Sequence, residues 1–209
     1  MNNINKKYFK FSLIITIILI YLVIAAGAFV RMTGSGMGCP DWPKCFGYLV
    51  PPTKKSDLFW KKEYQYTKKQ MIIYKDKLFY ANEDFMSKNN INLNNWSEYK
   101  VHDYSTFDVK HTWIEFLNRL LGALAGLSTL ITFIFSLSFW KTKRKIVIFS
   151  FVSILFILFQ AWLGKTVVDS NLQPVKISIH MMMALVIVFI LIYLLYLVRV
   201  FEKNEREFK

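Results

Sequence analysis

The sequence predicts an all-α membrane protein: a four-transmembrane-helix bundle with a long outer loop between the first and second helices, forming one membrane domain over residues 1–209. Three observations carry this reading. Apolar residues make up 54% of the chain and aromatics 17%, an unusual load for a soluble domain. They gather in four blocks, each close to the roughly 20 residues that cross about 30 Å of hydrocarbon at about 1.5 Å per residue. The lysines and arginines behind a formal net charge of +13 stand mainly between and beyond those blocks.

The first span is Phe11–Val30. It is too long for the core of a signal peptide, and Ala28-Phe29-Val30 leads straight into Arg31 without a small-residue cleavage site, so a retained helix is expected. The outer loop follows over 31–110. Its opening carries Gly34, Gly36, Gly38, Pro40 and Pro43, which excludes helix and predicts a tight, irregular coil. Beyond Pro51 the loop has scattered aromatics, among them Trp60, Tyr66 and Trp96. A short alternation over Met71–Ala81 reads as a hairpin, within a small ordered lobe over the outer end of the bundle.

The second span covers about 112–140 and includes Gly122-x-x-x-Gly126, a pattern of ordinary close helix packing in lipid. The third covers about 146–163. The fourth covers about 175–198, with Pro174 placed where a helix tolerates proline in its first turn.

Charge placement sets the orientation. Lys6, Lys7 and Lys10 precede the first span, Lys141, Lys143, Arg144 and Lys145 join the second to the third, and Arg199, Lys203, Arg206 and Lys209 follow the fourth. All three clusters fall on one side if both termini are cytoplasmic, as the positive-inside rule requires. A loop as long as 31–110 translocates largely regardless of its charge. The expected location is a bacterial inner membrane, with lipid as the surrounding partner and no nucleic acid.

Cys39 and Cys45 are the two cysteines, both at the start of the outer loop. An oxidising compartment favours a disulfide between them. The spacing alone leaves free thiols and metal binding open.

An ionisable residue inside a span costs about 2.5–3.5 kcal/mol on insertion scales and is by default a functional suspect. The second span holds Glu115 and Arg119 and the fourth His180, while the third holds the uncharged Gln160. Counted from the predicted helix ends at about 1.5 Å per residue, Glu115, Gln160 and His180 each lie about 8 Å in, at one level. His111, Glu115, Asn118 and Arg119 form one stripe of the second helix. Glu115 and Arg119 can neutralise each other four residues apart, but that leaves the shared level of His180 and Gln160 unexplained. An intramembrane histidine points to haem ligation, proton relay or quinone binding. A four-helix bundle can hold a haem between facing helices with imidazole as axial ligand.

Three segments carry a resemblance: Gly27 to Gly47 through Arg31-Met-Thr-Gly-Ser-Gly-Met-Gly-Cys-Pro-Asp-Trp-Pro-Lys-Cys, His111-Thr-Trp-Ile-Glu-Phe-Leu-Asn-Arg-Leu-Leu-Gly122, and Gln160-Ala-Trp-Leu-Gly-Lys-Thr-Val-Val followed by Leu172-Gln-Pro and His180. Together they resemble the N-terminal four-helix half of the haem A synthases, which oxidise the C8 methyl of haem O to the formyl of haem A for cytochrome oxidase assembly. The match runs over the chain apart from most of the outer loop.

The resemblance implies an oxidoreductase with haem O as substrate, a further haem b in the family's second half, and a haem O synthase as partner. It makes Glu115 the essential acid near the haem edge and His180 an axial histidine. Cys39 and Cys45 match a pair that some members oxidise to a disulfide, and Gly34, Gly36 and Gly38 would shape the loop over the haem. Arg31 and Arg119, by their charge, would pair with haem propionates.

Two departures stand out. The family's second axial histidine, three residues after the acid, is Asn118 here, so either His111 ligates the iron or the iron is five-coordinate. His111 lies about two turns outward of Asn118, which makes a rigid substitution awkward. Typical members have eight helices in two halves, so a homodimer or a separate second half is expected. Alternatives to the enzyme are a non-catalytic haem carrier of the assembly pathway, which the missing histidine favours, and a quinone-interacting cytochrome-like subunit. Enzyme and carrier differ in whether oxidised haem intermediates appear.

Overall fold

The computed structural model describes residues 3–100 and 107–207; the stretch 101–106 of the long loop and the last two residues, including Lys209 of the basic tail, lie outside them. Four long helices dominate: α1 (Asn3–Met32), α2 (Val109–Ser136), α3 (Arg144–Asp169) and α4 (Pro174–Glu207). Each is long and apolar enough to cross a membrane, over Lys6–Met32, Val109–Phe139, Arg144–Asp169 and Pro174–Val200. The helical membrane bundle read from the sequence is present.

The helices overrun the bounds expected from hydropathy, for identifiable reasons. α2 starts before Thr112 because Asp108 caps it: its Oδ1 accepts the backbone N–H of His111 at 3.0 Å, the third donor of the first turn. That bond holds the Asp108 carboxyl below its usual range. α3 continues past Leu163 to Asp169, since Lys165 ends the apolar run without opposing helix. α4 runs into the charged tail because glutamate, lysine and arginine are good helix formers outside lipid. Pro174 opens α4, as expected.

The chain divides into two compact units. The helical one comprises Met1–Phe29, Asn118–Val167 and Gln173–Lys209. Its core joins all four helices through Phe9, Leu13 and Ile20 of α1, Ala125 of α2, Ile146 and Val147 of α3, and Ile187, Leu191 and Leu194 of α4. Polar ties supplement packing, as lipid demands: Thr16 Oγ1 lies 2.7 Å from Ser128 Oγ and 3.0 Å from Thr132 Oγ1, linking α1 to α2. Neither glycine of the α2 pair is required for close approach: a Cβ on Gly126 would make ordinary contact with Ile157 of α3 at 3.5 Å, and one on Gly122 would meet open space. The outward faces stay apolar, Leu158 at 62% and Phe189 at 71% exposure, as a lipid-facing surface requires.

The second unit comprises Val30–Leu117 and Val168–Leu172. The expected hairpin is β2 (Met71–Tyr74) against β3 (Lys77–Ala81), introduced after a short β1 (Gln65–Tyr66). Its two-residue turn, Lys75-Asp76, has φ of 49° and 57°, the left-handed pair of a type I′ turn. β5 (Trp96–Glu98) adds to β3, and β4 (Phe85–Met86) pairs with β1. β2 is buried on both faces because it separates two clusters. Met71 and Ile73 pack with Cys39, Cys45, Phe46 and Leu58, while Ile72 packs with Tyr66, Ala81 and Trp96.

Candidate functional site

The segment after α1 begins with a helix stop. Gly34, at φ 67°, donates its N–H to Arg31 O at 3.2 Å, and Ser35 donates to Val30 O at 2.9 Å, the paired bonds of a Schellman motif. The chain then lies along the first turns of α2. A Cβ on Gly38 would stand 2.3 Å from His111 O and 2.7 Å from Thr112 N, so no side chain fits there. Thr112, fully buried, donates its hydroxyl to Gly38 O at 2.8 Å. Glu115, 4% exposed, accepts the backbone N–H of Cys39 on Oε2 at 2.8 Å. Thr112 and Glu115 stand three apart on one helix face, so a single stripe of α2 grips two successive residues of the loop.

Cys39 and Cys45 form the expected disulfide, with Cα atoms 4.8 Å apart. Two further bonds shape the loop it closes. Asp41 Oδ2 accepts the N–H of Gly47 at 2.9 Å, and the Tyr99 hydroxyl donates to Pro40 O at 2.6 Å. Burial, then the nearby Asp41 charge, pushes the Tyr99 phenol up to about 12, so it remains a donor at neutral pH.

Gly38→Ala is therefore expected to lift the loop off α2. Overpacking of this kind costs about 1–3 kcal/mol. The thermal midpoint should fall, and the buried disulfide should open at lower dithiothreitol concentration, as read by thiol alkylation. An unchanged midpoint and unchanged protection would contradict the packing described.

Glu115 thus has a role beyond the two read from the sequence. Besides serving as a candidate acid or as a neutraliser of Arg119, it anchors the disulfide loop through its hydrogen bond to the Cys39 N–H, a contact of about 0.5–1.5 kcal/mol.

In the helical unit, α3 and α4 bring Gln160 and His180 together. Gln160 Nε2 lies 3.3 Å from His180 Nδ1 and donates to the His180 main-chain oxygen at 2.9 Å. One turn further along α3, a Cβ on Gly164 would stand 3.3 Å from His180 Nε2, so the missing side chain makes room for the ring. Gln160 lies deeper than its expected level: because α3 runs on to Asp169, it stands about 14 Å from its helix end at about 1.5 Å per residue, not about 8 Å. What joins it to His180 is direct contact.

The remaining candidates are placed as follows. His111 is exposed in the first turn of α2, and Arg31 is exposed in the last turn of α1. Arg119 and Asn118 are half-buried in α2. The Asn118 Oδ1 atom is buried and, among the described residues, has no hydrogen-bond partner; a Cβ on Gly27 of α1 would lie 3.8 Å from it. Glu115 and His111 belong to the loop-bearing unit, and His180, Gln160 and Arg119 to the helical one. Sequence reasoning passed over Thr112 and Gly164. The signal for Gly164 was its position four residues after Gln160, on the same helix face.

The family model of COX15-CtaA, described as cytochrome oxidase assembly protein, matches residues 10–208. The chain belongs to this family. Among curated proteins, this COX15-CtaA member is similar to the haem A synthase of Shewanella oneidensis, at 26% identity over 86% of this chain and 43% of the relative. It is likewise similar to the haem A synthase of Bartonella tribocorum, at 27% identity over 91% of this chain and 48% of the relative. For that of Ehrlichia ruminantium the identity is 28%, over 87% of this chain and 47% of the relative. The chain thus spans less than half the length of each of these three relatives. No solved structure matches it.

Proposed function

We propose that this chain carries out haem A synthesis, alone or as one half of the working enzyme, oxidising the C8 methyl of haem O to the formyl of haem A in the inner membrane with both termini cytoplasmic. The observation that carries the reading is the family match over residues 10–208, joined to the similarity to the three haem A synthases named above. The conversion, methyl plus water to formyl, passes four electrons to a membrane electron acceptor of the quinone or cytochrome class and releases four protons, two from the methyl group and two from the water.

The residues present fit a haem. Among the described residues no three His, Cys, Asp or Glu side chains converge to hold a bare ion. A metal that brings four ring nitrogens needs little more than an imidazole from the protein, and His180 offers one between α3 and α4; its Nε2 packs where a Gly164 Cβ would stand at 3.3 Å, so the ring would turn from α3 to hold the group. Bound there, the iron supplies the one-electron chemistry. His180 would hold the haem, Arg31 and Arg119 would pair with its propionates, and Glu115 would take up protons released at the methyl carbon. The disulfide loop, anchored on Glu115, would keep water from the acid.

Asn118, standing where the family has a histidine, favours a second reading: a haem-binding carrier of the assembly pathway without chemistry. Pigment extraction from membranes of cells co-expressing this chain with a haem O source separates the two. Haem A in the extract is expected; haem O alone, with the chain present and loaded, would establish the carrier.

A further inference from the structure

We propose that the outer lobe carries a second binding site, a cavity beside β4 that takes a pyranose ring of a neutral, N-acetylated glycan. None of its residues belongs to the haem reading, so the two stand or fall separately.

The cavity measures about 190 Å³. That is below the roughly 300–1,000 Å³ of sites that enclose a drug-sized ligand, and suits one ring of a longer chain. Trp60 and Phe85 form its apolar wall. Both are half-buried and pack against the cluster of Tyr66 and Trp96, with Phe85 edge-on to Trp96 at 5.4 Å between centroids. The frame around them is fixed by hydrogen bonds. Ser87, 5% exposed, donates its hydroxyl to Lys61 O at 2.6 Å and accepts the Tyr64 N–H at 2.9 Å, which ties the end of β4 to the segment after Trp60. Asn92 Oδ1 accepts the Asn94 N–H at 3.1 Å, and Asn95 O accepts the Asn82 N–H at 3.0 Å, which holds the rim over 92–95. Within this frame the side chains of Lys88, Asn90 and Asn95 line the cavity and, among the described residues, make no hydrogen bond or ion pair.

The chemistry of wall and rim selects the ligand. A side-chain amide both donates and accepts, as a sugar hydroxyl or an acetamido group does. The aromatic wall offers a broad apolar surface to the C–H face of a pyranose. An apolar side chain of a partner protein would instead bury the Asn90 and Asn95 amides without partners, which is unfavourable. An anion would meet a single lysine rather than a clamp, and a cation would meet no carboxylate, since none lines the cavity among the described residues. With both termini cytoplasmic, as proposed above, the lobe faces the cell wall, whose glycan is built of N-acetylated amino sugars.

The test titrates chitotriose, a neutral trimer of N-acetylglucosamine, into the purified full chain in phospholipid nanodiscs. Calorimetry reads the affinity, and saturation-transfer NMR reads which sugar protons touch the protein. Saturable binding is expected, with transfer to ring and acetyl protons. Lys88→Ala and Asn90→Ala, at exposed positions without structural bonds, should each weaken it severalfold. Trp60→Ala should weaken it about tenfold or more, while Trp60→Phe keeps an aromatic wall and most of the affinity, which separates loss of the site from loss of the fold. No saturable binding by the parent chain, or binding unchanged in the Lys88, Asn90 and Trp60→Ala variants, would overturn the proposal.

Discussion

Exchanging Glu115 for glutamine is expected to leave the chain at normal abundance, with its disulfide closed and its haem bound, while haem A production falls about a hundredfold or more. The expectation separates two duties of one side chain. Glutamine keeps a carbonyl oxygen in reach of the Cys39 N–H, so the loop stays docked at the 2.8 Å contact, but it cannot take up a proton. Glu115→Ala removes the acceptor as well and leaves that N–H buried without its partner, at a cost of about 1–3 kcal/mol. The alanine variant should therefore lose protection of the disulfide as well as activity. If the acid only neutralised Arg119, the glutamine variant would be poorly inserted, and adding Arg119→Gln would restore both abundance and haem A. Recovery of haem A in that double variant would defeat the catalytic assignment.

His180→Ala is expected to abolish haem binding while the helical unit stays folded. The imidazole contributes one hydrogen bond, to Gln160 Nε2, a contact of about 1 kcal/mol. The stronger contact of that amide, 2.9 Å to the His180 main-chain oxygen, is independent of the side chain and survives. Helix packing rests on Phe9, Leu13, Ile187, Leu191 and Leu194, none of which is a site residue. The control is His111→Ala. His111 is exposed at the start of α2, and its structural bond there is a backbone one to Asp108, so haem content should hold. Loss of haem in the His111 variant would make that histidine the second ligand after all.

The helices were legible because crossing lipid imposes a length and a composition that nothing else in a chain imitates. Their ends were less so. Asp108 caps α2, but hydropathy counts do not weigh a cap, and Lys165 looked like a boundary because charge was read as a helix end. In the loop, the Met71–Ala81 alternation gave the hairpin, yet its Lys75-Asp76 turn lacks the glycine that usually marks such a turn. The disulfide was legible from compartment and loop position. The grip of Thr112 and Glu115 on Gly38 and Cys39 was not, since it joins residues more than 70 apart in sequence. Glu115 and His180 stood out because ionisable groups are rare in spans. Gly164, having no side chain, drew notice only once His180 was seen against it.

The most direct measurement is electron nuclear double resonance on the purified ferric protein grown with nitrogen-15 histidine. The chain has three histidines, so the labelled positions are His102, His111 and His180. One strongly coupled histidine nitrogen, present in the labelled parent and retained in His111→Ala, is the predicted result. A spectrum indifferent to the label, or a coupling lost in His111→Ala, would contradict a haem held by this bundle through His180.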